Sequence, residues 1–229
     1  MDHPNLSLKP SYGSPPPSAP LNGEMILLSN VYKTLGGKPI LRGATLSIYP
    51  GETRVIIGRS GEGKSVLIKH ICGLFQPDAG EVYVDGVEIS RLGERALTPI
   101  RRKIGLLFQN AALFDSLNVL HNVGFTLYEE RKLTEREIRE KVLETLKMVR
   151  LGDILEKMPS ELSGGMRKRV GLARAIIQNP KILLYDEPTT GLDPVTSDAI
   201  NDLIIKLAEE LQVTSVVITH DMVSAFKVA

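Results

Sequence analysis

Gly58-Arg59-Ser60-Gly61-Glu62-Gly63-Lys64-Ser65 is a glycine-rich loop that closes on Lys-Ser, and the apolar run Arg54-Val55-Ile56-Ile57 leads into it. Glycine lets the backbone bend until successive N–H groups converge on one point, and a helix starting at the end of the loop adds the positive end of its dipole. The pattern reads as a phosphate cradle formed by Gly58, Arg59, Ser60, Gly61, Glu62, Gly63, Lys64, Ser65 and Val66. Lys64 has the reach to meet β- and γ-phosphates, and the Ser65 hydroxyl suits Mg²⁺.

Outward from that loop, the order of elements points to an α/β fold. Met25 to Val31, Lys38 to Ile48 and Arg54 to Ile57 are apolar runs divided by Gly36-Gly37 and Pro50-Gly51, and Gly80 to Ile89 reads as a hairpin turning at Asp85-Gly86. The N-terminal part is expected to hold antiparallel strands, while Arg54 to Ile57 feeds its loop to the carboxyl ends of a parallel sheet. The middle is expected to be helical: Thr134-Glu135-Arg136-Glu137 is a capping box, with Ile138, Val142, Leu146 and Val149 on one face before Pro159 ends the segment. From Lys181 the order is strand (182–185), helix, strand (215–219). Asp193 caps that helix, Pro194 opens it, and Ile200, Leu203, Ile204, Leu207 and Leu211 are its stripe. Strands separated by helices make a parallel sheet, whose ligands sit beyond the carboxyl ends of its strands.

Composition narrows the function classes. A net charge of +1, from 28 basic and 27 acidic residues, gives no global attraction to nucleic acid or to an anionic membrane surface. No stretch approaches the run of about 18 apolar residues that a membrane span needs, and the N-terminus lacks the pattern of a secretion signal. Residues 1–24 carry six of the 14 prolines and few apolar residues, so they are expected to form a disordered leader, with a single domain over 25–229. The one cysteine, Cys72, excludes an internal disulfide and reads as core packing. There is no internal repeat.

Two further stretches carry chemistry. Ile182-Leu183-Leu184-Tyr185-Asp186-Glu187 ends an apolar strand in adjacent carboxylates, which is costly unless they meet a cation or water. By itself that is an ordinary strand end. Downstream of a phosphate loop, Asp186 suits Mg²⁺ and Glu187 suits polarising a water in line with a γ-phosphate. Leu162-Ser163-Gly164-Gly165-Met166 opens a helix with a hydroxyl and glycine N–H groups, which is either a plain cap or a second anion site.

With these motifs, the order of Gln109 after strand 104–108, Gly191-Leu192-Asp193, and His220 after Val216-Val217-Ile218-Thr219 resembles the nucleotide-binding subunits of ABC transporters. Nearly everything from Met25 to Ala229 fits. The resemblance implies a P-loop NTPase with a RecA-like parallel core and a helical subdomain over about 110–175. It implies ATP and Mg²⁺ as cofactors, with Ser65, Gln109 and Asp186 at the metal and Glu187, His220, Gln109 and Lys64 as catalytic residues. Ser163, Gly164 and Gly165 would face the nucleotide held by the loop of a second copy, and Asp193 would communicate across that homodimer. The histidines His3, His70 and His121 match no motif.

The chain departs from the family pattern at Met166, commonly Gln, and at Leu35, where an aromatic commonly meets adenine and Tyr32 lies nearby. It also ends nine residues after His220, so a truncated product or a partial sequence is expected. Stretches 109–123 and 158–166 are most similar to the lipid-trafficking branch, which includes the maintenance-of-lipid-asymmetry and chloroplast trigalactosyldiacylglycerol importer ATPases. That resemblance implies membrane-spanning permease subunits, a lipid-binding partner protein and no nucleic acid. It places the chain peripherally, on the cytoplasmic face of the inner or plasma membrane or the stromal face of a chloroplast envelope. Leu113, Phe114 and Leu117 are read as a permease contact or as core. A soluble non-transport ABC-type ATPase and an inactive truncated fragment are the competing readings.

Overall fold

In the computed structural model, residues 22–59 and 61–229 are described. Most of the expected leader, and Ser60 of the glycine loop, lie outside them. The N-terminal alternation folds as two long strands, β1 (Ile26–Leu35) and β2 (Lys38–Ile48). Between them Gly36 and Gly37 both take positive φ, at 55° and 75°, the turn geometry that suits the twist of a hairpin. After β3 (Thr53–Ile57) and α1 (Lys64–Ile71), β4 (Ala79–Val84) and β5 (Val87–Glu88) form the second hairpin. It turns at Asp85-Gly86, with φ 48° and 79°.

Next come α2 (Glu94–Arg101), β6 (Ile104–Leu107), α3 (Val119–Glu130), α4 (Glu135–Met148), a short 3₁₀ turn at Pro159–Glu161 and α5 (Gly164–Ile176). The chain then runs through β7 (Ile182–Asp186), α6 (Pro194–Leu211), β8 (Thr214–Thr219) and α7 (Met222–Val228). An antiparallel sheet of order β2-β1-β4-β5 lies beside an all-parallel sheet of order β3-β8-β7-β6. None of the helices among the described residues is long and apolar enough to cross a membrane.

The parallel strands read as continuous apolar runs because both of their faces are covered. Leu183 and Tyr185 of β7 and Val217 of β8 pack into a core with α3, α4, α5 and α6. Ile182, Leu184, Val216 and Ile218 point the other way, into a core shared with α1, α2 and the antiparallel sheet. Cys72 is 7% exposed in that second core, and burial pushes its thiol pKa up to about 12. It is packing, as its sequence context suggests.

One boundary differs from expectation. The capping box is present, with Thr134 accepting from Glu137 N–H and Glu137 accepting from Thr134 N–H, but α4 stops at Met148, well before Pro159. Arg150 turns left-handed at φ 57°, and Leu151 N–H donates to Leu146 O at 2.9 Å, a closing motif that satisfies the last carbonyls. Pro159 instead opens the 3₁₀ turn that delivers the chain to α5.

The seating of α5 on the sheet depends on Gly105 of β6. A Cβ there would lie 2.3 Å from Ala175 O and 2.6 Å from the Leu183 side chain, so sheet and helix backbone touch directly. Gly105→Ala is expected to lower the unfolding free energy by about 1–3 kcal/mol, the cost of overpacking a dense core. Urea denaturation followed by circular dichroism checks it, and an unchanged midpoint would show that α5 can shift without cost.

Candidate functional site at the carboxyl ends of the parallel strands

Because all four strands of the second sheet run the same way, their carboxyl ends deliver four loops to one edge. β3 feeds the glycine loop, β8 feeds His220, β7 ends in Asp186-Glu187 and β6 is followed by Gln109. Ladder pairing of Ile57 with Thr219, Asp186 with Ile218 and Leu107 with Tyr185 holds these ends level. The result is a cavity of about 230 Å³ lined by Ile40, Gly61, Gly63, Lys64, Ser65, Val66, Gln109, Glu187 and His220.

In the glycine loop Gly61 and Gly63 take φ of 83° and 91°, a region that side chains rarely enter. Gly63 also has no room for one, since its Cβ would sit 2.7 Å from the Ile40 side chain. Lys64 Nζ donates to the carbonyls of Gly58 (2.6 Å) and Arg59 (2.9 Å) and lies 3.7 Å from Glu187 Oε1. The ammonium is thus aimed across the mouth of the loop. Arg59 N–H donates to the Glu62 carboxylate at 2.8 Å, which sets the curve at the first half of the loop.

Opposite the loop, the Ser65 hydroxyl donates to Asp186 Oδ1 at 2.9 Å. The Ser65 hydroxyl and exposed Gln109 line this cavity, and Asp186 joins them through its bond to Ser65, so a hydroxyl, an amide and a carboxylate are all oxygen donors. That set suits Mg²⁺, which takes one or two protein oxygens and completes its shell with phosphate and water. No cluster of three His, Cys, Asp or Glu side chains able to hold a metal occurs among the described residues.

Glu187 is 8% exposed and adopts a left-handed backbone, φ 51°. Its N–H donates to Ile218 O, and its Oε2 accepts from Thr190 Oγ1 (3.1 Å) and lies 2.7 Å from His220 Nδ1. His220 is thereby an orienting neighbour of Glu187. Gly164 and Gly165 lie elsewhere: Ser163 caps α5, accepting from Met166 N–H, and none of residues 163–165 lines this cavity. Asp193 caps α6 by accepting from Thr196 N–H, as expected from the sequence.

Sequence patterns alone did not single out three supporting side chains. Thr190 orients Glu187, and two cations of α5 hold the Gln109 loop from behind. Lys168, 5% exposed, donates to the carbonyls of Gln109 and Glu187; burial lowers its pKa to about 8 against the pull of the two nearby carboxylates. Arg174 donates to Ala111 O (2.6 Å) and Ala112 O (2.7 Å). Both alanines are left-handed, at φ 58° and 46°, a conformation costing about 1–2 kcal/mol per residue without glycine. The available signal was that Lys168 shares a helical face with Leu172 and Ile176, both buried, so a charge interrupts an apolar stripe.

A family model described as ABC transporter matches residues 41–190. The chain belongs to that family, and it has the architecture of the ATP-binding cassette. It is similar to the probable ribonucleotide transport ATP-binding protein mkl of Mycobacterium leprae, 42% identical over 200 residues, covering 87% of this chain and 58% of mkl. It is 48% identical over 188 residues to protein TRIGALACTOSYLDIACYLGLYCEROL 3, chloroplastic, of Arabidopsis thaliana, covering 79% of this chain and 54% of that one. The intermembrane phospholipid transport system ATP-binding protein MlaF of Haemophilus influenzae is 40% identical over 209 residues, covering 91% of this chain and 79% of MlaF. Relatives named for methionine import stand at 47% and 45% identity. This chain therefore spans little more than half the length of the first two relatives. Among solved structures, the cassette MJ0796, dimeric in a post-hydrolysis state bound to ADP and Pi, matches with a TM-score of 0.81 at 40% identity, covering 89% of this chain and 91% of that one.

Proposed function

We propose that residues 25–229 form the ATP-binding and ATP-hydrolysing cassette of a transporter, with its helical part over about 110–175. The observation that carries this reading is the convergence of Lys64, Ser65 and the Glu187–His220 pair on one cavity, with Asp186 bonded to the Ser65 hydroxyl. ATP enters with its phosphates on the N–H groups of residues 58–66. Lys64 exchanges its loop carbonyls for β- and γ-phosphate oxygens, and Ser65, Asp186 and Gln109 would hold Mg²⁺. When bound, that ion neutralises phosphate charge. Glu187, fixed by Thr190 and His220, accepts a proton from a water whose oxygen attacks the γ-phosphorus in line. The bond to the bridging oxygen breaks, leaving ADP and phosphate.

That none of Ser163, Gly164 and Gly165 lines the cavity supports a site shared between two copies, in which the N-terminus of α5 meets the partner's γ-phosphate. A second concavity, about 460 Å³, is lined by Leu106, Phe108, Phe114 and Phe125 together with Arg101 and Arg174. Phe114 is exposed and packs on Phe125 with ring centroids 4.9 Å apart, while Leu113 and Leu117 are half-buried. An apolar floor with a basic rim supports a helical segment of a membrane-spanning permease as its occupant, and so a peripheral place on the cytoplasmic or stromal membrane face. For the cargo we favour lipid, with a lipid-binding protein as further partner. The support is the similarity of stretches 109–123 and 158–166 to the lipid-trafficking branch, and the names of two relatives.

Glu187→Gln is expected to keep ATP affinity, to cut turnover by about 10²–10⁴-fold, the usual contribution of a positioned base, and to accumulate as an ATP-stabilised dimer in light scattering. Turnover at the unmutated rate would remove Glu187 from this role. Ser163→Arg is expected to stop turnover while the mutated chain's own loop still binds a fluorescent ATP analogue; emptying of that loop would overturn the shared site. Purified from native membranes, the tagged full-length protein is expected to bring a membrane-spanning subunit and, by mass spectrometry, enriched lipid. A membrane subunit with a polar solute would replace the cargo, and no membrane subunit at all would favour a soluble ATPase.

A further inference from the structure

We propose that Lys168 is a positioning residue, through which the helix that begins at Ser163 holds the two loops carrying Gln109 and Glu187. The inference rests on the reading above, in which those two side chains address the attacking water.

A lysine on the face of α5 that packs against the sheet is costly to bury, and its stem alone would pack as well if it ended in a methyl group. What the ammonium adds is specific. Lys168 Nζ donates to the main-chain carbonyl of Gln109 and, at 3.1 Å, to that of Glu187. Those oxygens belong to loops that leave β6 and β7, neighbouring strands, so one cation bridges two carboxyl ends of the sheet. Because the bonds go to the backbone, they set where each side chain starts without competing for its functional atoms. Glu187 Oε2 stays with Thr190 and His220, and the Gln109 side chain stays on the cavity.

Less than two turns further along α5, Arg174 grips the carbonyls of Ala111 and Ala112. The left-handed stretch after Gln109 is therefore held at both ends by cations from a single helix. Such a conformation persists only where its surroundings over-determine it, and here the surroundings are α5. A shift or rotation of α5 must carry Gln109 and Glu187 with it or break a buried charge–carbonyl contact. Ser163 caps the N-terminal end of the same helix and does not line this chain's own cavity. When Ser163 engages a nucleotide held by a second copy, Lys168 passes the resulting position of α5 to this chain's own hydrolytic groups. A cross-dimer signal thus has a one-helix path.

Lys168→Met keeps the stem and removes the donor, while Lys168→Arg restores donors of the same charge. In the full chain, Lys168→Met is expected to leave the dissociation constant for a fluorescent ATP analogue within about twofold, to lower kcat by about tenfold or more, as a misplaced catalytic group does, and to lose ATP cooperativity. Lys168→Arg is expected to recover most of kcat. Amide hydrogen exchange, which needs no turnover, is expected to speed up at 109–112 and 187–190 and to stay unchanged at 58–65. Unchanged kcat and unchanged exchange in Lys168→Met would overturn the proposal. So would a parallel loss of affinity, kcat and melting temperature that Lys168→Arg does not repair. Should Lys168→Met not fold, Lys168→Gln, which is neutral and one bond too short to bridge both carbonyls, is measured in its place against the same criteria. Failure of the hydrolytic reading shows instead as full turnover in Glu187→Gln, which leaves the exchange result to report on Lys168 alone.

Discussion

The carboxylate of Glu187 is almost wholly removed from water, on a left-handed residue at the end of an apolar strand. A charge in that place is stable only if the surroundings answer it, and they do: Thr190 and His220 at Oε2, and Lys64 3.7 Å from Oε1. Each answering group comes from a different carboxyl end of the parallel sheet or the turn that follows it. The rest of the molecule can be understood as the frame that keeps those ends together, since splaying β3 or β8 away from β7 would take Lys64 or His220 from the buried carboxylate.

That frame is a sheet with two cores. Alternate residues of β7 and β8 anchor it to the helical layer on one side and to α1 and the antiparallel sheet on the other. Burial on both faces gives the sheet its rigidity, and rigidity is what catalysis by positioning demands. The antiparallel part reaches the site through Ile40, which packs where a side chain on Gly63 would have to sit and so closes the back of the phosphate loop. The helical layer reaches it through α5, whose contact with β6 is close enough that Gly105 has no alternative.

Much of this was legible in the primary structure because the relevant physics is local. A glycine loop between an apolar run and a helix, a Thr-x-x-Glu box at 134–137 and an Asp-Pro start at 193–194 each state their own geometry through neighbours a few residues apart, and all three appear as read. The misread boundary is equally instructive. The sequence pattern predicts Pro159 as the stop of this helical segment, but the stop is the left-handed Arg150, a residue type with no preference for that conformation, imposed by closing hydrogen bonds. Neither Lys168 nor Arg174 carries a local signature, since their partners are backbone oxygens dozens of positions away.

What the amino-acid order determined by itself was the identity of the chemical groups and the elements that carry them: the anion cradle, the acidic strand end, the capped helix at 163 and the α/β alternation. Their common location was decided only by tertiary structure. Parallel ladders bring strands distant in sequence into register, and it is this register that sets Ser65 against Asp186 and His220 against Glu187. Short-range spacing encodes propensity and reach, whereas the meeting of charges from separate strands is a property of the packed sheet, paid in chain entropy that no local segment can supply.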